Sequence, residues 1–166
     1  MKKIFLSLVV LSLVSFTTFA QENRHNFSTE TGKFSVDFIG DISESARITE
    51  TSSSFKTTIS DGRMRYMVSS TKHNSNLESD IEKLLNTSVD SFMENIKGEI
   101  ISKEEVTRDN VKGMYVDIAM SEGAVRLEYF VFLRGFYQYQ VMAYAPVEVY
   151  DAENASRFFK GFKILE

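Results

Sequence analysis

The sequence predicts an α+β domain, an α/β/α sandwich around an antiparallel sheet. Three observations predict it. Residues 76–96 carry one apolar stripe at helical spacing. Residues 100–145 fall into four alternating runs joined by short turns. The last two runs are apolar or aromatic on one face and half so on the other, so the second face must be partly covered too.

The chain opens with a leader. Met1-Lys2-Lys3 is positive, and residues 4–16 are apolar apart from Ser7, Ser12 and Ser15. Thr18 and Ala20 supply the small residues a signal peptidase reads, before polar Gln21. The apolar run is shorter than the roughly 20 residues of a spanning helix. Residues 1–20 are therefore read as a secretory signal peptide, and the product as soluble, periplasmic or secreted. There is no cysteine, which excludes a lipid-attachment cysteine, disulfides and thiolate chemistry together.

Loss of residues 1–20 removes two of 19 basic residues and none of the 23 acidic ones, leaving 17 basic residues and a net charge near −6. That balance disfavours nucleic acid and anionic membrane surfaces as partners. About 146 residues suffice for one domain burying roughly two thirds of its unfolded surface. Residues 32–166 are read as that domain, after a loosely ordered polar tail over residues 21–31.

Phe34-Ser-Val-Asp-Phe38 alternates with the period of a half-buried strand. Residues 47–50 read as a second, weaker strand. Residues 55–60 and 63–70 flank Asp61-Gly62, whose tolerance of positive φ predicts a two-residue hairpin turn. The period then lengthens. Leu77, Ile81, Leu84, Leu85, Val89, Phe92, Met93 and Ile96 form one stripe on a helix. Ser75 with Glu78 reads as a capping box, and Gly98 as the stop. Four strands follow over residues 100–108, 111–120, 125–133 and 136–145, a meander turning at Asp109-Asn110, Glu122-Gly123 and Arg134-Gly135. Gly113 interrupts a strand and suggests a bulge. A second helix over residues 149–160 turns Tyr150, Ala155, Phe158 and Phe159 one way, and is expected on the sheet face bearing Phe130, Phe132 and Met142. A one-sided roll of the cystatin or NTF2 type is the alternative.

Chemistry-bearing clusters are few. The two histidines, His25 and His73, are too isolated for a zinc site or a serine triad. No phosphate-binding glycine loop occurs. Glu78, Asp80 and Glu82 suit a helix N-terminus. Asp117 faces away from an apolar set and is expected to pair with Arg126 across strands. Aromatic residues crowd the meander, and Tyr129, Phe130, Phe132, Tyr137, Tyr139 and Tyr144 are the candidate ligand contacts, with core packing as the competing reading.

Three stretches carry a family resemblance: Phe34-Ser-Val-Asp-Phe38, residues 75–96, and Arg157-Phe-Phe-Lys-Gly-Phe-Lys-Ile164. In this order, with the meander between them, the chain resembles the MOG1/PsbP-like fold. The resemblance implies that sandwich architecture and a role as an accessory or binding module; it supplies no site residues. The leading expectation is a non-catalytic exported domain, without cofactor or metal, that binds a protein or envelope component. A carrier of a small apolar ligand and a carboxylate-dependent hydrolase are the alternatives.

Overall fold

The computed structural model describes residues 24–166. The signal-peptide reading, and residues 21–23 of the expected tail, lie outside the described residues. The rest of that tail is not loose. Strand β1 (His25–Thr29) pairs antiparallel with β2 (Phe34–Phe38). Two features make a strand from this polar stretch. Thr29 Oγ1 accepts from the Gly32 amide at 3.1 Å, closing the turn. Phe27 packs between Phe34 and Phe55, ring centroids 6.0 and 6.2 Å away.

Strands β3 (Asp41–Ile48), β4 (Ser52–Ser60) and β5 (Arg65–His73) follow as a meander. The weak strand expected at residues 47–50 thus lies earlier and is longer. The β4–β5 turn spans residues 61–64 rather than two residues. Asp61 Oδ1 accepts from the amides of Arg63 (2.9 Å) and Met64 (2.7 Å), and Gly62 takes φ +88°. The aspartate organises a wider turn by bonding its own backbone.

Helix α1 (Ile81–Ile96) is preceded by a 3-10 turn, Glu78–Asp80. The Ser75/Glu78 capping box does not form. Asn76 Oδ1 accepts from the Glu78 amide (2.8 Å), and Glu78 Oε1 accepts from the Gly135 amide (2.9 Å) across a different loop. The left-handed residue that ends α1 is Lys97, φ 53°, not Gly98. Gly98 serves close approach instead: a Cβ there would stand 2.7 Å from Ile118 Cγ2.

The second meander is β6 (Glu99–Arg108), β7 (Val111–Met120), β8 (Val125–Arg134) and β9 (Tyr137–Pro146). Its β6–β7 turn uses Asp109 and Asn110 at positive φ. No bulge occurs at Gly113, which pairs in register with Val106 and Phe132. A Cβ there would meet Phe132 Cδ1 at 2.4 Å, so the missing side chain makes room for a ring. The irregular register lies at Ile100/Ser102 on β6. Helix α2 (Ala152–Gly161) starts later than expected because Asp151 caps it, accepting from the Glu153 and Asn154 amides. Strand β10 (Lys163–Ile164) ends the fold.

These elements make two sheets. The seven-stranded sheet runs β3-β4-β5-β9-β8-β7-β6, and β5 pairs with β9 to join the meanders. The small sheet is β1-β2-β10. Helix α1 lies on β7 and β8, where Leu85 and Val89 meet Val116, Ile118, Leu127, Tyr129 and Val131. The opposite face carries Phe132, Tyr139, Val141 and Ala143, covered by Phe34, Val36, Phe158, Phe159 and Phe162 from the small sheet and α2. The chain is an α+β fold dominated by antiparallel sheet. Helix α2 does lie toward the face of Phe130 and Phe132, but Met142 faces α1. The register sets Tyr139 opposite Phe132 and Met142 opposite Tyr129.

Candidate functional site

The six aromatic candidates do not converge. Tyr129 is fully buried under α1, its ring stacked on Phe92 at 4.2 Å. Tyr144 packs half-buried on that same side. Phe132 is fully buried on the other face, stacked on Phe162 at 6.1 Å. Phe130 sits between Tyr115 and Phe159 at 4.8 and 4.7 Å, with the Arg108 guanidinium 5.6 Å above its ring. Only Tyr137 and Tyr139 share a hollow, stacked at 6.0 Å beside Gly135 and Leu165. Its two cations are engaged. Lys33 reaches Glu30 and the Glu166 carbonyl, and Arg134 reaches Glu166.

The expected Asp117–Arg126 pair forms and is bidentate, Nε to Oδ1 at 3.1 Å and the terminal nitrogen to Oδ2 at 3.0 Å. Glu128 lies across from Asp117 and also meets Arg126, at 3.0 Å. The Arg126 guanidinium lies 4.9 Å from the Tyr150 ring centroid. Burial raises the Glu128 carboxyl above its usual value despite Arg126, and the neighbouring Asp117 charge adds to the rise. Burial with the Glu128 and Asp117 charges pushes the Tyr115 phenol up to about 12. Two acids therefore come together, but with an arginine locked between them. His73 Nε2 lies 3.2 Å from Gln138 Oε1. Among the described residues no group of histidines and carboxylates is placed to hold a metal.

The more distinctive feature is a cleft of about 400 Å³ where the end of β2, the β4–β5 turn and α2 meet. Phe38, Ile39, Tyr66 and Phe158 supply its apolar surface. Tyr66 and Phe158 are nearly fully buried and their rings lie 4.8 Å apart. The Tyr66 hydroxyl donates to Asp61 Oδ2 at 3.0 Å, and burial beside that carboxylate holds its proton well above the ordinary phenol range. Gly161 shapes the wall by letting α2 approach β2; a Cβ there would stand 2.9 Å from Asp37 Cβ.

Four cations, Arg24, Arg63, Arg157 and Lys160, and two acids, Asp37 and Asp61, line the same cleft. Both acids accept hydrogen bonds from the protein. Asp37 accepts from Asn26 Nδ2 at 2.7 Å, and Asp61 serves the turn and Tyr66. Arg157 is held by Glu153 and Asn154 on its own helix. Among the described residues Arg24, Arg63 and Lys160 have no carboxylate within ion-pair distance. Sequence reasoning missed this site. Its one legible trace is Arg157 and Lys160, three apart on a helix and so on one side of it.

No family model and no curated protein matches the chain. Among solved structures it is similar to a protein from Bacteroides thetaiotaomicron VPI-5482, at 13% identity and TM-score 0.44, over 85% of this chain and 48% of that one. It is also similar to PA94 of Pseudomonas aeruginosa, described as a protein of unknown function and candidate regulator, at 7% identity and TM-score 0.43, over 75% of this chain and 84% of that one. The chain spans about half the length of the first of these. No helix among the described residues is long and apolar enough to cross a membrane.

Proposed function

We propose that this chain is an exported, non-catalytic binding or accessory domain with a MOG1/PsbP-like sandwich fold, and that it engages its partner at the cationic cleft. One observation carries the reading. In a chain of net charge −4, three basic side chains without an ion pair among the described residues surround an apolar recess. A recess of this size with a few convergent polar groups is the ordinary form of a ligand site. The carrier alternative draws on the same recess, because its floor is apolar. Native mass spectrometry of the purified protein after incubation with envelope extract tests the reading. The expected result is a retained mass in the wild type that is lost in an Ile39→Glu variant. A bare spectrum for the wild type overturns it.

A further inference from the structure

We infer that the cleft selects an anionic amphiphile: an apolar chain or ring carrying one carboxylate or phosphate head. The inference rests on the cleft being the binding site and adds the class of ligand. The floor and the rim make separate demands. Phe38, Tyr66 and Phe158 give an aromatic floor that gains from apolar contact and offers the ligand no charge. The rim carries Arg24, Arg63 and Lys160, none of them ion-paired among the described residues, against two acids; Arg157 beside them is matched by Glu153. Both acids already accept hydrogen bonds from neutral groups of the protein, Asp37 from Asn26 and Asp61 from its own turn and Tyr66, so the cations of the rim outnumber them without being paired to them.

Arginine suits the head, since its planar fork matches carboxylate and phosphate oxygens. The basic groups come from separate segments: Arg24 before β1, Arg63 in the β4–β5 turn, Arg157 and Lys160 on α2. Three separate segments of the chain thus bring basic groups to one cleft. A flat basic patch would suit an anionic membrane; basic groups lining an apolar recess suit one head with its body inside. A neutral apolar ligand would leave that charge unmatched, and a cationic one would be repelled.

The test uses decanoate, decyl phosphate, decanol and decyltrimethylammonium as probes, titrated calorimetrically into the protein lacking residues 1–20, with vesicles of phosphatidylglycerol as a separate arm. The expected result is saturable one-to-one binding of decanoate or decyl phosphate, about tenfold or more tighter than decanol. The double variant Arg63→Ala/Lys160→Ala should lose about tenfold for the anions and leave decanol unchanged. Added salt should weaken only the anions. Equal binding of decanoate and decanol overturns the inference, while leaving the cleft as a site for apolar ligands. Binding of neither anion overturns it outright, even if the extract yields a retained mass. Vesicle sedimentation without binding of free anions overturns it in favour of a membrane surface.

Discussion

The two faces of the seven-stranded sheet are covered by different means. One has a single helix, α1, laid along β7 and β8, whose Leu85 and Val89 are buried in a mainly aliphatic seam around the Phe92–Tyr129 stack. The other is roofed by separate pieces, the small sheet and α2, and its packing is mainly aromatic. The difference bears on where a site can arise. A continuous helix seals the strands beneath it. A roof made of pieces leaves a gap where they meet, and the cleft lies at such a junction of β2, α2 and the β4–β5 turn. The aromatic-rich side is thus the side that opens.

The sharpest way to break the contrast is to delete one buried side chain from each face. Phe132→Ala, on the aromatic side, is expected to cost about 4 kcal/mol, and Leu85→Ala under α1 about 3 kcal/mol, by urea unfolding. Phe132→Ala should also weaken ligand binding at the cleft, because the roof above it rests on Phe162; Leu85→Ala should not. Gly113→Ala drives a methyl against Phe132 and the Val131 carbonyl and should cost about 2 kcal/mol from the aromatic side alone.

A subtler difference is electrostatic. The aromatic side carries the Asp117–Arg126–Glu128 cluster. Because the Glu128 carboxyl is raised in the folded state, the native protein holds that proton more tightly than the unfolded chain does. Its stabilising contribution is complete below the ordinary value of 4.5 and is lost as pH rises through the folded value. Urea unfolding of wild type and Glu128→Gln from neutral pH to about pH 4 should therefore show the wild type gaining on the variant as pH falls. A constant difference would remove Glu128 from the account. The smallest change belongs to the α1 side: Lys97→Gly, at a left-handed helix end, should stabilise by up to about 1 kcal/mol in thermal melts.

Much of the fold was legible because alternation and helical spacing are local. Leu127, Tyr129, Val131 and Leu133 share a face as alternation requires, and Asp117 finds Arg126. What alternation does not give is the phase between strands. The β8–β9 register places Met142 with Tyr129, and a shift of one residue would move it to the opposite face. Strand β1 was missed because its order depends on Phe27 meeting Phe34 and Phe55, contacts made only after folding. The cleft was illegible for the same reason on a larger scale. Its basic residues occupy positions 24, 63, 157 and 160, and no short window of sequence contains more than two. The aromatic residues drew attention because they are dense in sequence, yet most of them pack.

The small sheet has a consequence in time. Its hairpin, β1 and β2, is complete within the first described residues, but its third strand is β10. The Lys33 ammonium bonds the Glu166 carbonyl across 133 positions of chain. Contacts so distant in sequence form late, after the loop between them has closed. A chain emerging N-terminus first would have both meanders and α1 in hand before its last segment arrived. The cleft, walled by α2, would be complete only after both meanders and α1, and β10 would close the small sheet behind it.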